Sequence, residues 1–292
     1  MSLLHPLETD AWEARFPAAA QADALSSLER GRVLFFPHLA FVLGAEEKRF
    51  LSPRWSDGKA KNISLEGEMM RGAVGQAQDL DALHAMIGRL AHQAQQLVQA
   101  LLPRYAPHLM RGRTRYRPCE VAGRASSYKK DDTRLHVDAF PSRPTSGQRI
   151  LRVFSNINPA GQPRVWRLGE PFEDLARRYL AGIGPPFPGS PWLMDVLSIT
   201  KGRRTRYDHL MLALHDHMKK DMDYQRSAPQ ETVALPPAST WIVFTDQVLH
   251  AAMSGQFLLE QTFYLPMTAL EDPQAAPLGI LERLSGRRLA AG

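Results

Sequence analysis

The sequence predicts an α+β fold in a single domain, 1–292. A helical N-terminal part, 1–110, packs outside an antiparallel β core of sandwich or jelly-roll type, 111–266, followed by a short tail, 267–292. Three observations predict it. A long amphipathic stretch lies before residue 103. Past Pro107 the texture changes to short β-prone runs separated by Gly, Pro, Asn and Asp. No internal repeat or low-complexity tract breaks the chain into units.

Taken in order, residues 1–30 are Ala-rich and partly helical, and Val33–Phe36, closed by Pro37, reads as a short buried strand. Asp79–Leu102 reads as a helix. Leu80, Leu83, Ile87, Leu90, Leu97 and Leu101 fall largely on one face, and Pro103 ends it. This helix should lie along the outside of a sheet, with His84 and His92 at its surface or boundary. Expected strands are Arg113–Val121, Leu135–Phe140, Arg149–Ile157, Arg164–Leu168, Glu231–Leu235, Trp241–Phe244 and Phe257–Leu265. Helices are expected at Pro171–Leu180, at about Tyr207–Tyr224 and around Leu278–Leu284, with the Pro-rich Gly184–Gly189 as a loop.

Composition narrows the function classes. Hydrophobic residues make up 44% of 292 and charged residues 23%, values of an ordinary globular chain. No run approaches the roughly 20 apolar residues that cross a bilayer, and the first twenty residues do not resemble a secretory signal, so a cytoplasmic protein is the simplest expectation. One cysteine, Cys119, excludes an internal disulfide and a multi-cysteine metal site, and is read as a small buried apolar residue rather than a nucleophile. The net charge of +6 is concentrated at Arg111, Arg113, Arg115 and Arg117, at Lys201, Arg203, Arg204 and Arg206, and more loosely at Arg149, Arg152, Arg164 and Arg167. Such clusters are solvated surface or sites for an anionic substrate or lipid surface. No zinc-finger, RNP or Walker pattern supports nucleic acid. Oligomeric state is left open, with room for a homo-oligomer.

The strongest chemical signal is Arg134-Leu135-His136-Val137-Asp138. In an extended segment i and i+2 point to one side, so His136 and Asp138 face one interior point while Leu135 and Val137 pack the other way. A second imidazole from a distant strand completes a two-His-one-carboxylate set with open positions, suited to Fe(II) and oxygen chemistry. Chance alone gives roughly 0.5 His-x-Asp tripeptides in this chain, so the context carries the reading: apolar flanks and a following Pro-Ser-Arg-Pro loop. His250 is the candidate third ligand, after the apolar strand Trp241–Phe244 and beside small residues. A rival cluster, His209, His215, His217, Asp216, Asp221 and Asp223, sits on a helix. There i and i+2 diverge, so His215 and His217 cannot chelate together, and the cluster is read as a solvated face.

These residues, and the runs around them, resemble the Fe(II)/2-oxoglutarate dioxygenases, and among those the Kdo hydroxylases, which hydroxylate C3 of 3-deoxy-D-manno-oct-2-ulosonic acid (Kdo) in the lipopolysaccharide inner core to give Ko. The match is carried by RLHVDAFPSRPTSGQRILRVFSNINP (134–159), RVWRLGEPFEDL (164–175), WIVFTDQVLHAAMSGQFLLEQTFYLP (241–266) and the closing LGILERLSGRRL. It covers the last 180 or so residues well and the first 100 loosely. The resemblance implies a double-stranded β-helix core. It implies iron at His136, Asp138 and His250, 2-oxoglutarate and O2 as cosubstrates, and ascorbate as an accessory reductant. It also implies a Kdo-containing lipid A precursor as the acceptor, met at the inner face of the inner membrane. One feature departs from the pattern. Many members place an Arg or Lys shortly after the distal His to hold the tail of 2-oxoglutarate, yet here none follows His250 until Arg283.

Strand parity offers substitutes. Arg152, Phe154 and Asn156 share one face of their strand, and Arg164 and Trp166 share one face of the next. Arg152 and Arg164 are therefore the expected cationic holders, with Trp166 shaping the pocket and Asn156 a polar contact. Gln261 and Thr262 are further cosubstrate candidates, Arg117 is expected near the substrate, and the 201–206 loop is expected at an anionic lipid surface. Two alternatives remain: a hydroxylase of a small soluble acid or amino acid, and a metal-free β-sandwich module binding anionic glycans.

Overall fold

The structure is a computed structural model, and it describes residues 2–123, 126–185 and 204–290. Lys201, Arg203 and most of the loop expected at Gly184–Gly189 lie outside the described residues. Helices and sheets are mixed. Strands β1 (Leu4–Pro6), β2 (Val33–Phe36), β3 (Ile63–Glu66), β4 (Met69–Arg71), β5 (Met110–Arg117), β6 (Arg149–Asn156), β9 (Thr240–Phe244) and β11 (Leu258–Leu265) form one sheet in the order β1-β2-β9-β6-β11-β5-β3-β4. The smaller sheet is β10-β7-β8, from β7 (Arg164–Gly169), β8 (Gln230–Leu235) and β10 (His250–Ser254). All pairings are antiparallel except β1 with β2.

The division at residue 110 does not survive as a structural one. The N-terminal part supplies four strands, β1 and β2 at one edge of the large sheet and β3 and β4 at the other. Each is only three or four residues long, too short for a period-2 pattern to stand out. The long helix, α2 (Ala77–Leu101), buries Leu83, Met86, Ile87, Leu90, Ala94, Leu97 and Leu101 against β5 and β11. Helix α1 (Ala18–Glu29) packs on β2. Helices α3 (Phe172–Tyr179), α4 (Arg206–Lys220), α5 (Met222–Ser227) and α6 (Pro277–Ser285) complete the described set. The helix expected over 207–224 is broken at Asp221, whose carboxylate accepts from the Tyr224 amide and starts α5.

Two expected strands need correction, and one strand is additional. Strand β5 stops at Arg117 because Pro118 has no amide to donate. Leu135–Phe140 is not a strand. Its backbone is partnered by a side chain and single bonds instead of a ladder: the Gln225 amide bonds both the N–H (2.7 Å) and the C=O (3.0 Å) of Leu135. Strand β10 was not anticipated, since His-Ala-Ala-Met-Ser lacks branched and aromatic residues. Between the two sheets lies an apolar layer in which Phe154, Trp166 and Trp241 pack ring against ring at 5.1–5.5 Å.

Candidate metal centre

The extended segment at 136–138 is held at two points. His136 and His250 exchange both backbone hydrogen bonds (3.0 and 2.9 Å), and the Asp138 amide donates to the Thr245 carbonyl (2.8 Å). This isolated bridge sets the two histidines directly opposite each other, with ring centroids 4.5 Å apart. Period-2 alternation then brings in Asp138, while Leu135 and Val137 enter the apolar cluster on the other side. Ligand atoms of His136, Asp138 and His250 all lie within 4.8 Å of one another, and all three residues are buried.

The protonation pattern suits a metal. His136 Nδ1 contacts the Arg134 carbonyl and His250 Nδ1 the Val248 carbonyl, both at 2.8 Å. A carbonyl only accepts, so the proton sits on Nδ1 and the lone pair is left on Nε2. Burial holds both imidazoles below their usual pKa, with the neighbouring His250 adding to the effect at His136, so both are neutral at pH 7. Burial, the largest single influence, would raise Asp138, but the Arg152 guanidinium together with His250, His136 and Thr245 outweighs it and takes the carboxyl to about 2. The buried Oδ2 of Asp138 accepts no hydrogen bond; Arg152 lies 2.9 Å away at ion-pair distance but off the bonding direction. Two neutral imidazoles and an under-satisfied carboxylate are a donor set that fits a divalent ion.

The triad opens into a cavity of about 230 Å³, which Lys61, Arg115, Arg117, Arg152 and Arg164 also line. Beneath it lies Glu260, fully buried on β11 and contacted by Arg115 (2.6 Å), Arg117 and Arg152 (3.1 Å). Burial raises its carboxyl, but the three guanidiniums, Arg152 foremost, hold it well below the usual range. Asp132 pairs with Lys61 and Arg117 at the cavity's side. The cavity thus has five cations against Asp132, Asp138 and Glu260, an excess that favours anionic ligands.

Arg164 is the conspicuous member. It is buried, bonds the Gly255 carbonyl at 2.7 Å, and has no carboxylate within ion-pair distance among the described residues. Burial, then repulsion from Arg117, lowers its pKa to about 9. Gly255 is required here: a Cβ at this φ of +116° would stand 2.8 Å from Arg164 Cδ. The Nε of Arg152, the Nε of Arg164 and the Nε1 of Trp166 are all buried without partners, and all belong to the cavity wall. Buried donors in folded proteins are nearly always satisfied, so three orphans beside one cavity fit an acceptor-rich ligand. Trp166 also stacks on the His250 ring at 5.2 Å.

Among the other expected site residues, Arg117 lines the cavity. Asn156 does not: its amide donates to the carbonyls of Gln162 (3.3 Å) and Leu235 (3.0 Å) and its oxygen accepts from the Asn158 amide, so it closes the turn after β6. Gln261 and Thr262 are buried in β11 and bonded to Thr114 and Glu260, away from the cavity wall. The solvated-face reading of the helical cluster holds for His217 and Asp223 but fails for His215. That ring is buried on α4 and meets His136 edge-on at 5.7 Å, bonded through Nδ1 to Asp216. Cys119 is half-buried rather than buried. Glu260, Asp132 and Lys61 were not singled out from the sequence. Glu260 alone left a signal there, as a charge in the apolar run FLLEQTFYL.

Among the described residues, no helix is long and apolar enough to cross a membrane. A search of curated proteins finds no match. Solved structures do match. The Kdo hydroxylase KdoO, a non-haem Fe(II) α-ketoglutarate-dependent dioxygenase, in complex with cobalt(II), is 48% identical with a TM-score of 0.97, covering 100% of this chain and 98% of that one. The same enzyme with α-ketoglutarate and Fe(III) is 48% identical with a TM-score of 0.95, covering 98% and 97%. Its succinate–Fe(III) complex is 47% identical with a TM-score of 0.96, covering 100% and 98%. The family model described as 3-deoxy-D-manno-oct-2-ulosonic acid (Kdo) hydroxylase matches residues 11–288, and with a bridged His136–His250 pair facing Asp138 on a cation-rich cavity, the chain belongs to the Kdo hydroxylase family.

Proposed function

We propose that the protein is an Fe(II)- and 2-oxoglutarate-dependent dioxygenase that hydroxylates C3 of Kdo in a Kdo-containing lipid A precursor. The observation that carries the reading is the joining of two neutral imidazoles and a carboxylate to a cavity whose buried cation, Arg164, lacks a carboxylate partner among the described residues. His136, Asp138 and His250 would hold the metal, and bound Fe(II) supplies oxygen activation coupled to decarboxylation of 2-oxoglutarate. Arg164 neutralises the distal carboxylate of the cosubstrate, and Trp166 Nε1–H is placed to donate beside it. Arg152 is drawn two ways. Its guanidinium already spans Asp138 and Glu260, so it fixes the carboxylate ligand as much as it serves the cosubstrate. Within the same reading, the two sheets form a double-stranded β-helix with α1 and α2 outside, in one domain. The protein meets its lipid acceptor peripherally at an anionic membrane, with Arg204 and its neighbours nearest the lipid.

The test is anaerobic addition of Fe(II) and 2-oxoglutarate, read as a charge-transfer band in the visible spectrum, followed by O2 and a Kdo-lipid acceptor. A band, succinate formation and a product heavier by one oxygen are expected. Succinate with free acids but never with Kdo acceptors would overturn the substrate, and no band with iron bound would overturn the cosubstrate. Sedimentation with anionic vesicles, unchanged by salt, would count against the membrane contact.

A further inference from the structure

A second cavity, of about 630 Å³, lies against the first and shares Lys61, Asn62, Arg117 and Asp132 with it. Its other lining includes Lys59, Lys130, Cys119 and Ser127. Lys59 and Lys130 are exposed and make no ion pair among the described residues, whereas Lys61 and Arg117 are joined through Asp132 in the shared wall. Size gives this chamber a purpose. The metal cavity, at about 230 Å³, is below the ~300–1,000 Å³ of typical small-molecule sites. It must nevertheless take a metal ion, a diacid cosubstrate and the reacting end of a sugar acid. The sugar can reach the metal only if most of it lies elsewhere, and the neighbouring chamber is larger, with Lys59, Lys61, Arg117 and Lys130 in its lining against Glu120, Asp131 and Asp132.

We propose that the second cavity is the acceptor subsite. It holds the body of the anionic glycan through Lys59 and Lys130, while the Lys61–Asp132–Arg117 wall sets how far the reacting carbon enters the metal cavity. This rests on the Kdo hydroxylase reading and adds where the acceptor sits and which cations receive it. The group recognised is an oxyanion, either the sugar's own carboxylate or a phosphate on the next sugar. Cys119, the chain's one cysteine, lies in the lining and is half-buried, so it reports occupancy without any catalytic role.

The experiment combines alkylation of Cys119 by iodoacetamide with steady-state hydroxylation, in the wild-type protein and in Lys59→Glu/Lys130→Glu. Both lysines are exposed, so the double variant keeps its fold. A soluble Kdo-terminated glycan is expected to slow alkylation of the wild type but not of the variant. The variant's KM for the glycan should rise about tenfold or more, with KM for 2-oxoglutarate and iron binding unchanged. Free Kdo and Kdo linked to a phosphorylated glucosamine separate the two oxyanions. A penalty on both assigns the carboxylate, and a penalty confined to the second assigns the phosphate. If the wild type hydroxylates Kdo, yet alkylation ignores the glycan and the variant's KM is unchanged, the subsite is overturned and the function stands. If no Kdo acceptor is hydroxylated but the glycan still protects Cys119, the subsite stands and the function falls. If neither occurs, both fall.

Discussion

Two buried arginines, one in each sheet, show opposite ways of handling a charge inside this protein. Arg149, at the start of β6, is neutralised within the fold. Its Nε bonds Asp246 at 2.7 Å, Nη2 bonds Gln247 at 2.6 Å, and the guanidinium stands 3.7 Å from the centre of the Phe244 ring. Arg164, at the start of β7, is equally buried yet among the described residues has one carbonyl and no ion-pair partner. Burying a charge costs several kcal/mol unless it is paired. The first site therefore contributes to holding the sheets together, and the second keeps a cost that only a ligand can offset. The neighbouring metal site follows the second pattern, with lone pairs aimed inward and Asp138 Oδ2 unbonded.

The comparison breaks most decisively at the histidines. His136→Ala or His250→Ala should take iron binding and succinate formation to background while far-UV circular dichroism stays native. Full turnover in either variant would remove the metal site. At the closed pole the opposite is expected. Asp246→Ala leaves Arg149 buried and unpaired, a loss of about 3–5 kcal/mol in denaturant unfolding. Activity per folded molecule should stay near that of the wild type, so equal losses of stability and activity would mean the two poles are not separate. Arg164→Met should reverse that profile. KM for 2-oxoglutarate rises about 100-fold while stability holds or improves, since an apolar side chain replaces an unpaired buried cation. A destabilised Arg164→Met with normal KM would make Arg164 structural after all.

The sequence reading anticipated which residues converge on the cavity where a single segment carries the information. His136 and Asp138 follow from period-2 alternation, and Arg152, Arg164 and Trp166 from parity within their own strands. It failed where the partner lies far along the chain. Asn156 has the right parity, but it sits at the strand's end, where the turn's carbonyls capture its amide. Glu260 sits opposite Phe154 in the β11–β6 register and reaches arginines on β5 and β6, a convergence that no local pattern encodes. His215 was judged by helix geometry alone. That geometry correctly separates it from His217 but says nothing of the His136 ring it packs on. Of the four short N-terminal strands only β2 was legible, from its apolar run Val33–Phe36; β1, β3 and β4 were invisible for want of length, and β10 for want of β-prone residues.

Glu260 sharpens the contrast further, because it belongs to the open pole yet is over-supplied with partners. Replacing it with Gln removes the counter-charge of three guanidiniums while keeping its shape, and should cost about 1–3 kcal/mol at pH 7. The pH dependence identifies the cause. The folded carboxyl lies well below its usual 4.5, so its contribution is fully present above that value and is lost as pH falls toward the folded pKa. The stability gap between wild type and Glu260→Gln should therefore be widest near neutrality and narrow steadily below about pH 4.5. A gap that stays constant through the acid limb would mean the variant loses packing rather than charge. In that event the arginines around the cavity are held by Asp132 and Asp138 alone.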